Sequence, residues 1–380
     1  MIGTVGQVSL SGAMSVFVLA LGASEGSLGL AQITPPITSS TGAGNMGTTV
    51  NQVGNTYNIM GGTRPGNGTN LFHSFSDFGV PTNYVANFLN ETALPTSNIL
   101  GRVAGGNPSN IFGTIQTTGF GSANLFLMNP AGIVFGPNAA LNVGGSVRFT
   151  TADYLRLADG TQFSAIPGPA DSSVSSSPVA AFGFLGSNPG AITVQGGQLS
   201  VLPAQSISLV GGNITIESGT LADGTVQPAR LVTPSGTIAL VSVASQGEIL
   251  TGTLEQVPNV NGQSFGALGT IQVSQESVLD SGGYDGGTIR IRGGNFVVDG
   301  STLSANVTGP SIGQPSQSGA GIDIQTAQDV VIRNLAILET NVTDQASPGV
   351  ESGGVRIRAD HIEIAGVTDF ETFPIFTGIR

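Results

Sequence analysis

Apolar side chains recur along the second half of the chain in a fixed rhythm. Ile192, Val194, Leu199 and Val201 occupy positions 0, 2, 7 and 9 of a ten-residue string. The spacing returns at Ile207, Leu209, Ile214 and Ile216, at Ile289, Ile291, Phe296 and Val298, and at Val355, Ile357, Ile362 and Ile364; Ile322, Ile324, Val330 and Ile332 follow it with one residue added. A step of two is the period of a strand with one buried face, and the residues between the two steps, often Gly-Gly, read as a corner. Such a strand pair cannot bury its apolar side alone, but it can when stacked on a copy of itself. Glycine-led openings at Gly287, Gly321 and Gly354, each leading into an aliphatic-x-aliphatic step, fall 34 and 33 residues apart. The pattern predicts an all-β chain, a right-handed parallel β-helix whose coils are completed by irregular loops. A solenoid needs caps, because a terminal coil exposes unpaired strand edges and apolar core. Residues 32–120 are expected to supply an N-terminal β cap. Asp369 to Arg380 shows no capping pattern, so the chain is expected to be a truncated part of a longer solenoid.

The first half is less regular. Met14 to Ala23 is apolar but short of the roughly 20 residues that span a bilayer, and Gly29-Leu30-Ala31 offers small residues before Gln32. Residues 1–31 are therefore expected to be a signal peptide, although no Lys or Arg precedes the apolar run. Short strands are expected at Thr49–Val53, Thr56–Met60, Ile99–Val103 and Ile111–Ile115, and in the aromatic segment Asn70-Leu71-Phe72-His73-Ser74-Phe75. From Asn124 the chain reads as strand, tight turn, strand: Leu125 to Met128, then Asn129-Pro130-Ala131-Gly132, then Ile133 to Phe135. Asn at the first turn position bonds back to the chain, Pro at the second fixes φ, and Gly at the fourth suits a type I turn. Asn107-Pro108-Ser109-Asn110 is a second Asn-Pro turn.

Composition narrows the class. Glycine makes up 58 of 380 residues, charged residues only 9%, and there is no lysine. The hydrophobic fraction of 39% excludes a disordered polar tail, and short strands divided by Gly, Asn, Ser and Thr turns fit better than helices. A net charge of −12, without Arg interleaved among aromatics, argues against nucleic acid and against an anionic membrane surface. The absence of cysteine excludes disulfides, thiolate metal sites and cysteine nucleophiles.

An ordered set of motifs resembles the secretion domain of two-partner secretion exoproteins, the filamentous haemagglutinin-like family. Asn70 to Phe75 is similar to the early aromatic segment; Ile99 to Val103 with Ile111 to Ile115 to the Asn-Arg-Val and Gly-x-Ile block; Asn124 to Gly136 to the Asn-Pro-Asn-Gly-Ile segment; and Phe149 to Leu155 to the segment after it. Ala131 stands where the family has its second Asn, and the family's Asn-Pro-Asn-Leu is absent, Asn107-Pro108-Ser109-Asn110 lying nearby in order. The resemblance covers residues 32–165, with β-helix repeats over 166–380. It implies a secreted or cell-surface protein that passes the periplasm, is recognised by an outer-membrane barrel transporter with periplasmic docking domains, and winds into a β-helix outside. It implies an adhesin with a host or cell-surface ligand, no stable membrane span, and no cofactor. The residues it marks for transporter recognition are Asn129, Pro130 and Gly132, with Asn107 and Pro108 secondary.

The rival reading is a β-helical polysaccharide lyase or hydrolase. Asp285, Arg290, Arg292, Asp299, Asp323, Arg333, Arg356 and Arg358 are the groups that could form an outer groove. Alternation of Arg290/Arg292 and Arg356/Arg358 with inward aliphatics favours a solvated face or modest Arg–Asp pairing, and no catalytic residue is assigned. The Asp-Gly pairs at Asp159, Asp223 and Asp285 lack the calcium-binding nonapeptide form and read as turns. Gly42 to Gly47 matches G-x-G-x-x-G without the strand–helix context a dinucleotide site needs. His73 is expected to be structural and His361 to lie on the surface.

Overall fold

The computed structural model describes residues 36–168, 171, 173–251, 265–309, 321–343, 352–366 and 378–379; the expected signal peptide lies outside them. No α-helix occurs among the described residues. Three long sheets of ten, eight and eleven strands run the length of the molecule. The chain visits them in turn: Asn98–Val103 lies in the first, Ser109–Ile111 in the second, Thr114–Thr118 in the third, and Asn124–Met128 returns to the first. Strands within each sheet pair in parallel with those one coil away, apart from the antiparallel strands at the N-terminal end. The fold is a three-sheet parallel β-helix.

The counted aliphatics stack as ladders inside it. Leu125, Val147, Ile207, Ile238, Ile289, Ile322 and Val355 are successive partners on the first sheet. Ile133, Ile192, Ile214, Ile271, Phe296 and Val330 form the ladder of the second, and Leu199, Leu231, Leu279, Leu303 and Leu338 that of the third. Full burial of each such side chain contributes about 1.5–3 kcal/mol. The spacing 0, 2, 7, 9 marks two different corners, however. Ile207/Leu209 and Ile214/Ile216 flank the bend from first to second sheet, whereas Ile192/Val194 and Leu199 flank the bend from second to third. Both bends are tight and take Gly-Gly for the same reason. A Cβ on Gly212 would come within 2.2 Å of the Pro189 carbonyl, and one on Gly196 within 2.9 Å of the Gln227 carbonyl.

The cap is shorter than the pattern suggested. A hairpin, Thr48–Val53 with Thr56–Gly61, closes the end of the third sheet, and Thr38–Ser39 adds antiparallel to Asn70–Asp77. Asn70–Asp77 already belongs to a coil, since it pairs in parallel with Asn98–Val103.

The loops are less irregular than expected. Between Val147–Thr150 and Ile192–Gln195 the chain leaves the helix and forms Tyr154–Leu157, Gln162–Ser164 and Val179–Phe184. With Gly247–Leu250 they make a four-stranded antiparallel sheet that spans both sides of residue 165. Leu155, Phe163, Phe182, Phe184 and Ile249 from this sheet join a second core with the outward Phe72, Leu100, Phe126, Met128, Val210 and Val241 of the first. Burial on both faces explains why Leu125 to Met128 is apolar at every position rather than alternating.

Candidate functional site

The Asn129–Gly132 turn links the first and second sheets. The Gly132 N–H donates to the Asn129 carbonyl at 3.1 Å, closing the turn. The Asn129 side chain is fully buried. Its Oδ1 accepts from the Ala131 N–H at 3.0 Å, the bond back to the chain that the sequence predicts. Its Nδ2 donates to the Asn107 carbonyl at 3.0 Å and to Ser109 Oγ at 2.9 Å. The two Asn-Pro turns are therefore stacked corners of adjacent coils, and one carboxamide joins them.

Gly132 has φ 118°, a region costly for other residues. Its carbonyl accepts from the Ser109 N–H at 3.0 Å, and the Ile133 N–H donates to Ala191 in the next coil at 3.1 Å. A Cβ on Gly132 would lie 3.1 Å from that Ala191 carbonyl. Gly190 closes the stack from above: a Cβ there would meet the Pro130 carbonyl at 2.4 Å. Asn107 and Pro108 are exposed, and Pro130 and Ala131 half-buried. Asn107 Nδ2 also reaches the Asp77 carboxylate at 2.8 Å.

The candidates for a polysaccharide lyase or hydrolase groove are spread over the coils. Arg290, Asp323 and Arg356 are register partners on the first sheet. Arg292 is fully buried, with Nη2 2.6 Å from Asp323 Oδ2, so it is not part of a solvated face. Burial lowers its pKa from the ordinary value, and hydrogen bonding to Asp323 opposes this. Asp299 and Arg333 pair at 3.0 Å on the second sheet. Asp285 lies in a loop and Arg356 and Arg358 are exposed. Among the described residues no group of three His, Cys, Asp or Glu is placed to hold a metal. Asp159 and Asp223 each accept a backbone N–H two residues on, as turn-forming aspartates do. His361 is exposed. His73 is a core residue against Phe75 and Phe88, with Nδ1 3.3 Å from Thr48 Oγ1. Burial, reinforced by Arg64, lowers its pKa to about 3.

Two features escaped the sequence reading. Asn70, Asn98 and Asn124 form a side-chain ladder at the start of three first-sheet strands, with Nδ2 to Oδ1 distances of 2.9 and 3.1 Å. Their recurrence before an apolar pair, as Asn-Leu-Phe, Asn-Ile-Leu and Asn-Leu-Phe, was the available signal. The other is Arg102, fully buried beneath the antiparallel sheet and paired with Asp171 at 2.6 Å.

Stacked parallel coils around an aliphatic core, capped by a hairpin and bound at one corner by Asn-Pro turns, define a β-helical solenoid class. The family model of the TPS secretion domain matches residues 31–291. The chain belongs to this family, the secretion domains of two-partner secretion exoproteins. Such proteins are secreted through the outer membrane with an outer-membrane transporter as partner. No curated protein gave a sequence match. The crystal structure of the filamentous hemagglutinin secretion domain is similar over 87% of this chain and 97% of that chain, at 17% identity and a TM-score of 0.43. The HMW1 secretion domain from Haemophilus influenzae is similar over 86% and 98%, at 14% identity and a TM-score of 0.35. No helix among the described residues is long and apolar enough to cross a membrane.

Proposed function

We propose that this chain is the secretion domain and following coils of an exported adhesin, recognised in the periplasm by the docking domains of an outer-membrane barrel transporter. Residues 1–31 serve as its signal peptide, and the β-helix forms outside as coils stack on their neighbours. The observation that carries this reading is the family match over residues 31–291, which also supports a domain running beyond residue 165. The recognition feature we favour is the pair of Asn-Pro turns. The buried Asn129 carboxamide is fully engaged, its Nδ2 by the coil beneath and its Oδ1 by its own turn. The transporter therefore meets that side chain before the corner closes, and in the folded domain Asn107, Pro108, Asn110, Pro130 and Ala131 of the two turns remain within reach.

Expression with and without the partner transporter tests the reading. With it, the chain is expected outside the cell; without it, in the periplasm. Export that is indifferent to the transporter would sink the proposal. Cleavage of a polysaccharide by the purified chain would favour the lyase instead.

A further inference from the structure

The antiparallel sheet closes over coils that precede it in the chain, and Arg102 shows what this entails. Its Nε donates to Ser74 Oγ at 2.9 Å in the preceding coil. Nη2 donates to the Gly44 carbonyl at 2.9 Å in the cap, and Nη1 to the Ser164 carbonyl at 2.8 Å in the outer sheet. Both terminal nitrogens hold Asp171, at 2.6 and 2.7 Å, and the guanidinium sits 5.0 Å over the Phe163 ring. One buried side chain thus joins cap, coils and a segment some seventy residues further on. Its surroundings repeat the connection. Phe163 packs edge-on against Phe72 at 5.0 Å. Asn70, at the foot of the asparagine ladder, donates to the Ser175 and Ser177 carbonyls at 3.1 and 2.7 Å. Ser176 Oγ donates to the Pro65 carbonyl at 2.9 Å. Pro167 lies so close to Gly44 that a Cβ there would come within 2.3 Å of the proline Cβ.

Until these later residues are in place, their partners are missing. The coils from Asn70 to Thr150 can fill their interior, but the outward Phe72, Leu100, Phe126 and Met128 remain in water. The cap turn Gly42–Asn45 lacks the Pro167 side of its packing. Burying Arg102 first would enclose a guanidinium with only neutral acceptors, which is costly. We propose that Tyr154–Leu157, Gln162–Ser164 and Val179–Phe184, with Pro167, Asp171 and residues 175–177, are a latch: the cap and the coils from Asn70 to Thr150 close cooperatively when the latch docks, and not before. The first folded unit then runs from the cap to Phe184, so winding does not start from the N-terminal coil although that coil comes first in the chain. The latch is a property of folding, and it stands or falls on the purified chain whatever transporter the cell supplies.

Refolding of the full chain, followed by pulsed hydrogen exchange, tests this. Backbone amides of residues 71–75 and 99–103 are expected to gain protection together with those of 154–157 and 179–184. Asp171→Asn removes the countercharge, and Gly44→Ala drives a methyl group into Pro167 without touching any charge. Each is expected to slow protection of all four segments by about tenfold, leaving residues 288–304 unchanged. If either variant does not refold, the order in the wild-type chain still decides. Protection of 71–75 and 99–103 ahead of 179–184, or variants that slow only the latch, would overturn the proposal.

Discussion

At the scale of single residues, two buried polar side chains carry the most consequence. Asn129 satisfies three groups at once, and truncation leaves the Asn107 carbonyl, Ser109 Oγ and the Ala131 N–H without it. Asn129→Ala is expected to lower stability by about 1–3 kcal/mol, read from the urea midpoint at unchanged slope. An effect on export with no change in stability would separate recognition from the corner's structural part. His73 makes a prediction about acid. Its pKa in the folded chain, about 3, lies below the ordinary histidine value of 6.5. Between those values the unfolded chain takes up a proton that the folded chain refuses, so stability falls as the pH drops from 6.5 and levels off below about 3. The slope is about 1.4 kcal/mol per pH unit. From pH 7 to pH 5 the wild type is expected to lose about 2 kcal/mol more than His73→Leu. Equal losses in the two proteins would mean that His73 does not enter the folded core neutral.

At the scale of elements, the outer faces of the sheets separate two kinds of ion pair. Arg292–Asp323 is enclosed on the arginine side, whereas Arg333–Asp299 is half in water. Asp323→Ala leaves a buried guanidinium without its carboxylate and is expected to cost about 3–5 kcal/mol. Asp299→Ala is expected to cost about 0–1 kcal/mol. Thermal unfolding of the two variants provides the comparison, and equal shifts would contradict the burial of Arg292. The corners show how elements are legible in part. Gly-Gly flanked by period-two aliphatics announced a bend in every instance counted. It did not say which bend, because the first-to-second and second-to-third corners impose the same close backbone approach. The Asn-Pro turns were legible singly through turn chemistry. Their stacking was not, because nothing local to Asn129 refers to Ser109, twenty residues earlier.

At the scale of the whole molecule, the parallel register offers a test of whether export requires an open chain. Thr193 and Thr215 are neighbours on the second sheet, partly exposed and paired in register. Adjacent strands lie about 4.8 Å apart, within the Cα range a disulfide accepts. The chain has no cysteine of its own to interfere. Thr193→Cys with Thr215→Cys is expected to form a crosslink in an oxidising periplasm and to reduce export. Each single replacement should export normally, and reductant should restore the pair. Normal export of the oxidised pair would mean that the chain need not be open at that point.

The sequence by itself determined the class of fold, because inward aliphatics must recur wherever a coil stacks on its neighbour, and the repeat of Ile, Val and Leu records that directly. It also determined the Asn129–Gly132 turn, whose closing bond and Asn side-chain bond are local. Only the tertiary structure decided the third sheet in each coil, the short cap and the outer sheet over the first. The reason is that these features depend on partners far apart in the chain. Phe126 and Met128 are buried by Leu155, Phe163, Phe182 and Phe184 of the outer sheet, and Arg102 is held by Asp171, 69 residues further on.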